Sequence, residues 1–238
     1  MFAGIKKFWF EIFPNLFIDI PCLVWDMRAV IPFKKINAKS RLSSLLTDKE
    51  REEFAMAMLS DVAGTLVRSG CFEVVDILST SILDCDGANI VLANSGLNEA
   101  LNEYLKKMTS HSLNEPVLII MADIPLVSIK NIMDITASRS DIVIAPGRMG
   151  GTNAIFIRDP SRFHVDYYGA SFLKHRDIAR NNGLVFDVFD SFNLSTDIDE
   201  VADIAEVLLH GTGRAAGCLK KLGLALAENG GRVGVKKT

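Results

Sequence analysis

A chain of 238 residues, 49 % of them hydrophobic, is long enough for one sizeable α/β domain with a full core. Its 26 basic and 29 acidic side chains leave a formal charge of −3, which gives no long-range pull towards nucleic acid; a polyanionic ligand would have to be held locally, by a few cations, helix ends or a metal. The cysteines Cys22, Cys71, Cys85 and Cys218 form no CxxC pair and no zinc spacing, and read as free thiols of a cytoplasmic protein.

Residues 1–26 carry Lys6 and Lys7 ahead of an aromatic-rich run that Glu11, Pro14 and Asp19 interrupt. The run is too broken for a signal peptide or for a membrane span, which wants about 20 mostly apolar residues. It reads as an N-terminal extension, either a short amphipathic helix or a stretch ahead of a native start at Met27. A single domain is expected over 27–238, with a helical tail from about residue 210.

The first strand pattern is Arg28 to Phe33, followed by a loop in which Lys34, Lys35, Lys39 and Arg41 fall within eight positions. Such a run is either a solvated face or a phosphate clamp, with lysines as mobile point charges and Arg41 as a fork for phosphate oxygens. Thr47-Asp-Lys-Glu50 has the spacing of a capping box and opens a helix that Gly70 stops. Strands are expected at 73–80 and 88–93, then Asn94 and Ser95 as caps, or base or ribose contacts, before a helix with Leu97, Leu101 and Leu105 on one face.

Val117 to Met121 is apolar without alternation, the pattern of a strand buried on both faces in the middle of a sheet. It ends in Ala122-Asp123-Ile124-Pro125, which puts Asp123 at the carboxyl end of a central strand, where open α/β sheets bind ligands. Ser128 can cap the next helix, over 128–137, leaving Asp123 free for other work. After a strand at 141–145, Pro146-Gly-Arg-Met-Gly150-Gly151-Thr152-Asn153 reads as a turn whose glycines let the backbone approach a ligand, ahead of a strand at 154–157. A plain hairpin turn explains the glycines nearly as well.

Tyr168-Gly169-Ala-Ser171 starts a helix whose first turn can receive an anion, with His175 one turn on and on the same face. As a lone histidine, His175 also fits a buried structural residue. A strand at 184–189 follows, then Asp197 and Asp199, two apart, and a helix from Val201. Asp123 with Asp197 or Asp199 would give a hard divalent cation carboxylate oxygens from more than one residue. Walker A, GxGxxG, HExxH and GxSxG motifs are absent from the sequence.

Ile31-Pro-Phe-Lys34, Ala38-Lys39-Ser-Arg41-Leu42, Met121-Ala-Asp123-Ile-Pro125, Gly150-Gly-Thr152-Asn153 and Tyr168-Gly169-Ala-Ser171 with His175 together resemble the 2-phospho-L-lactate guanylyltransferase family of coenzyme F420 biosynthesis. The resemblance spans Met27 to about Leu209. It implies a three-layer αβα domain with a mostly parallel central sheet, the nucleotide-diphospho-sugar transferase (glycosyltransferase-A-like) fold. It also implies GTP and a small phosphorylated hydroxy acid as substrates, Mg²⁺ as cofactor, and Lys34, Lys39, Arg41 and Asp123 as catalytic residues. The metal ligands would come from Asp123, Asp197 and Asp199, and the acid would be held around Thr152, Asn153, Gly169, Ser171 and His175. The expected assembly is a homodimer without nucleic acid or membrane contacts. Two positions depart from the family pattern. Met149 stands where members often have an acidic residue, and Ser195-Thr-Asp197-Ile-Asp199 replaces a common Asp-x-Asp-Thr-Pro, which leaves the late metal ligand open. A different nucleotide or acceptor on the same fold, such as phosphoenolpyruvate or a sugar phosphate, is the alternative activity, and a non-catalytic nucleotide-binding protein the alternative class.

Overall fold

The computed structural model describes residues 27–34, 39–110, 115–229 and 231–237. The expected extension over 1–26 and Lys35 of the basic loop lie outside the described residues. The main strands are β1 (Arg28–Phe33), β2 (Val74–Ser79), β3 (Asn89–Leu92), β4 (Val117–Ile120), β5 (Ile142–Pro146), β6 (Thr152–Ile157) and β7 (Phe186–Val188). They form one sheet in the order β3-β2-β1-β4-β6-β5-β7, with β6 antiparallel to both its neighbours and every other pairing parallel. β4 therefore occupies the centre, as its unbroken apolar run requires, and all four of its residues are fully buried.

Alternate strand residues feed two cores. Ala29, Ile31, Ile77, Leu118, Ile120 and Phe156 face one layer, containing α1 (Asp48–Ser69), α3 (Ile129–Ala137), α6 (Val201–His210) and α7 (Arg214–Lys221). Val30, Leu78, Val117, Ile119 and Ile155 face the other, made by α2 (Leu97–Ser110) and α4 (Ser171–Asn181). The period-two alternation of a strand thus gives the three-layer αβα architecture directly.

Helix ends follow their local chemistry. Thr47 and Glu50 form the expected capping box of α1, and Gly70 closes it in a left-handed conformation (φ 66°). Ser128 caps α3 reciprocally with Asn131, so Asp123 is not needed there. Helix α7 takes its cap from α1: Asp61 Oδ1 and Oδ2 accept the N–H groups of Arg214 and Ala215 at 2.7 and 2.8 Å. Asp61→Ala should lower stability by about 1–2 kcal/mol, the cost of stranding two helix-end donors. Urea unfolding should show this as a lower midpoint at unchanged m value; an unchanged midpoint would remove the cap from the stability account.

Two expectations are corrected. Thr152 and Asn153 belong to β6, where Thr152 pairs with Pro146 across a bulge and the Asn153 carbonyl accepts the Met121 N–H at 2.8 Å, so the turn is only 147–151. The tail is helical only to Lys221. Gly223 (φ 79°) turns the chain into a hairpin of β8 (Leu224–Asn229) and β9 (Arg232–Lys237), and Lys237 Nζ lies 2.7 and 2.8 Å from the two Glu50 carboxylate oxygens at the start of α1.

The sheet opens where its order changes direction. β1 pairs with β2 along its whole length but with β4 only from Arg28 to Val30. Pro32, which has no N–H, lies beyond the last β1–β4 rung and so costs that pairing nothing. The chain leaves β1 towards β2 and β3 on one side and reaches β4 on the other, so the carboxyl ends of β1 and β4 flank a topological switch point.

Candidate active site

Lys39 follows β1 and Asp123 follows β4, so each stands on one lip of this crevice. A short helix, α5 (Phe192–Ser195), and the residues after it bring Asp197 and Asp199 to the same place; the Ile198 N–H donates to the Asp123 carbonyl at 3.0 Å. Lys39 Nζ lies 2.6 Å from Asp123 Oδ2 and 2.8 Å from Asp199 Oδ1, with the side chain only 11 % exposed. Burial alone would lower the Lys39 pKa, but the two carboxylates outweigh it and the net shift is upward. The lysine is therefore a resident cation between two acids from distant parts of the chain. Its backbone is left-handed (φ 54°), an uncommon conformation for a residue with a side chain.

Arg41 Nη1 stands 3.6 Å from Asp199 Oδ2 with most of its side chain exposed. Lys34 is exposed and lines a cavity of about 140 Å³ with Lys39, Asp123, Pro32 and Met121. These three expected cations meet at one crevice, with Lys34 and Arg41 facing solvent. Asp197 is raised in pKa by burial and by the neighbouring Asp123 and Asp199 charges, against a hydrogen bond from Asn153 Nδ2 at 3.1 Å. Asn153 also donates to the Leu194 carbonyl at 2.8 Å, which makes it a strut under the acidic segment. Asp203 secures the other end, accepting the Asp199 and Glu200 N–H groups and the guanidinium of Arg148 at 3.2 Å. Arg148 in turn donates to Thr196.

The suitability of this place for a divalent cation can be judged from its oxygens. Among the described residues no group of three or more His, Cys, Asp or Glu side chains stands assembled as a metal site. Yet Asp123 Oδ1 is buried without a hydrogen-bond partner, and the charge of Asp123 is felt by Asp197 beside it, with Asp199 tied to Asp123 through Lys39. An orphan carboxylate oxygen among hard oxygen donors suits Mg²⁺, with Lys39 holding the pair together when no metal is bound.

The residues expected to hold the acid surround the start of α4. Gly169 is left-handed (φ 75°), and Ala170 supplies no side-chain cap; the Ser171 and Leu173 N–H groups turn back to the Gly169 and Ala170 carbonyls, which leaves the Phe172 N–H of this first turn for an anion. The glycine turn borders it, with a Cβ built on Gly150 reaching within 4.0 Å of Ala170 Cβ. Ser171 is 2 % exposed, and no hydrogen bond to its hydroxyl occurs among the described residues. Thr152 Oγ1 lies 3.0 Å from His175 Nδ1. His175 is wholly buried, its ring packing edge-on against Tyr167 at 4.8 Å between centroids. Burial pushes its pKa down to about 4, so the ring is neutral at physiological pH.

The geometry thus separates the expected acid-binding residues. Gly169 and Ser171 sit at an open helix start beside Thr152. Asn153 points instead to Leu194 and Asp197, and His175 to Thr152 and the Asp166 backbone. Asn153 Nδ2 and both ring nitrogens of His175 are therefore held by protein groups, which gives these two residues a supporting role beside any contact with a ligand. Sequence spacing also missed Arg148 and Asp203, whose bond spans 55 positions and carries no local signature.

Comparison with known proteins follows the same lines. The family described as "Guanylyl transferase CofC like" matches residues 27–236. A 2-phospho-L-lactate guanylyltransferase from Methanocella arvoryzae is 50 % identical over 211 residues, covering 89 % of this chain and 93 % of that protein. One from Methanosarcina mazei is 48 % identical over 212 residues, covering 88 % and 99 %. Among solved structures, a nucleotidyl transferase from a Methanothermobacter has a TM-score of 0.55 at 12 % identity, covering 78 % of this chain and 97 % of that one. A cytidylyltransferase from Leptospira borgpetersenii has a TM-score of 0.53 at 12 % identity, covering 83 % and 95 %. At such low identity these two bear on the fold alone.

Proposed function

This chain belongs to the guanylyl transferase CofC-like family, and on that premise we propose that the crevice between β1 and β4 is its reaction centre. The protein is a 2-phospho-L-lactate guanylyltransferase. It joins GTP to 2-phospho-L-lactate, giving lactyl-(2)-diphospho-(5′)-guanosine and pyrophosphate in coenzyme F420 biosynthesis. The observation that carries the assignment of residues is the bridging of Asp123 and Asp199 by Lys39 at the switch point.

In this reaction an oxygen of the acceptor phosphate forms a bond to the α-phosphorus of GTP while the bond from that phosphorus to the β-phosphate bridge breaks. The acceptor is already an anion and needs no strong general base. The protein's task is to relieve repulsion between two anions, align them in line, and receive the charge of the leaving pyrophosphate. Lys34, Lys39 and Arg41 supply three cations on the β1 side for the triphosphate oxygens. Asp123, with Asp197 or Asp199, would hold Mg²⁺, which when bound neutralises phosphate charge and polarises the phosphoryl group. Thr152, the Gly169 backbone and Ser171 receive the phosphorylated acid at the start of α4. A cytoplasmic site of action fits the reduced thiols of Cys85 and Cys218.

The test is pyrophosphate release that depends on both GTP and 2-phospho-L-lactate, repeated with the Ser171→Ala variant. That variant should raise KM for the acid about five- to tenfold, the effect of one lost hydrogen bond to a charged group, with KM for GTP within twofold of wild type. An equal rise for both substrates, or one confined to GTP, would move the start of α4 to the nucleotide side.

A further inference from the structure

We infer that His175 is a positioning residue of the acceptor pocket: by donating from Nδ1 to Thr152, it takes one lone pair of the Thr152 hydroxyl and leaves its hydrogen to be offered to a ligand. The inference rests on the placement of the phosphorylated acid at Thr152, Gly169 and Ser171 proposed above.

The argument starts from a group whose role is not adjustable. The Asp166 backbone N–H points at His175 Nε2 over 3.0 Å, and a backbone N–H can only donate. Nε2 must therefore be the unprotonated, accepting nitrogen. In a neutral imidazole the remaining hydrogen is then on Nδ1, and it points at Thr152 Oγ1, 3.0 Å away. Thr152 Oγ1 has no other hydrogen-bond partner among the described residues, and the threonine is 3 % exposed. Its hydroxyl hydrogen lacks a protein acceptor, beside the uncapped helix start where Ser171 also has an unpartnered hydroxyl. An unpaired buried donor costs free energy until an acceptor arrives.

The local frame holds this arrangement in place. Asn98 Oδ1 accepts the Tyr167 N–H at 2.6 Å, while its Nδ2 donates to Asp166 Oδ1 at 3.0 Å. Asn102 pairs with both backbone groups of Val165. The segment carrying the Asp166 N–H is thereby fixed to α2, so the tautomer of His175 follows from the fold. The chemical consequence is selectivity. The site favours a group that presents an accepting oxygen, as a phosphate or carboxylate does; a ligand hydroxyl or amide N–H would have only the second lone pair of Thr152 Oγ1 to turn to and would leave the hydroxyl hydrogen unpaired.

Two substitutions separate this role from simple support of the segment. In His175→Asn the amide nitrogen overlays Nδ1 and can still donate to Thr152, while the partner of the Asp166 N–H is lost. In His175→Gln the amide oxygen reaches towards the Nε2 position, keeping the Asp166 partner and losing the donor to Thr152. With GTP saturating, His175→Asn should keep KM for 2-phospho-L-lactate within about threefold of wild type, and His175→Gln should raise it about tenfold or more with KM for GTP unchanged in both. The reverse order, or equal effects in both, would overturn the inference. The ¹⁵N signals of the His175 ring in the wild-type protein give a measurement independent of how either variant folds: protonation on Nδ1 supports the inference, and protonation on Nε2 overturns it. Failure of the wild-type protein to use 2-phospho-L-lactate would instead count against the acceptor assignment, and the ring signals would still decide the tautomer.

Discussion

Asp123→Asn should lower kcat/KM by at least about 10²-fold, or about 2.7 kcal/mol of transition-state stabilisation, while the fold survives. The amide has the same size. Its oxygen can still face Lys39 Nζ, as Asp123 Oδ2 does at 2.6 Å, and the NH₂ group then occupies the place of the partnerless Oδ1. A donor there cannot bind a cation. Since Ser128 and Asn131 already cap α3, no helix end depends on the Asp123 charge. The loss should therefore fall on turnover more than on GTP binding, with part of it recovered at high Mg²⁺. Steady-state pyrophosphate release across a Mg²⁺ titration, with circular dichroism as a control for folding, measures this. Near-wild-type turnover in a folded variant would remove Asp123 from the metal site.

Lys39→Met should be about as damaging, with kcat/KM falling about 10²- to 10³-fold, the usual effect of removing one preorganised charge partner from developing phosphate charge. Methionine keeps most of the aliphatic stem and removes the ammonium. The same variant carries a second readout that does not involve turnover. Without Lys39, Asp123 and Asp199 lose the cation that lies 2.6 and 2.8 Å from them, beside an Asp197 whose pKa is already raised. A divalent cation should then fill the role of the ammonium, so Mg²⁺ should raise the melting temperature of Lys39→Met more than that of wild type. An equal rise in the two proteins would separate Lys39 from the cation site.

The parts of this site that sequence makes visible are those whose signal is local. β4 is legible because five apolar residues without alternation have no good solution except burial on both faces, and Asp123 follows from where such a strand must end. The capping box at Thr47 and the cap at Ser128 are legible because each is written within four residues, although the reciprocal bond between Asn131 and Ser128 is visible only in the structure. Asp199 shows its carboxylate but not its partner, since the Lys39 contact joins residues 160 positions apart. Asn153 looks like a turn residue because the glycines precede it, and only the pairing of β4 with β6 shows it to be a strand residue aimed at Asp197. The hairpin at the carboxyl end was hidden by composition. Leu224-Ala-Leu-Ala227 suits a helix by propensity, while its partner Arg232–Lys237 and the two left-handed glycines turn it into strands.

The hydrogen bond from the Ile198 N–H to the Asp123 carbonyl has a consequence for motion. Ile198 lies between Asp197 and Asp199 and is fully buried, so this main-chain bond fastens the late acidic arm to the end of the central strand at its midpoint. Neither arm can swing out alone without exposing an isoleucine and stranding a backbone donor. The acidic wall of the crevice therefore opens or stays shut as one body.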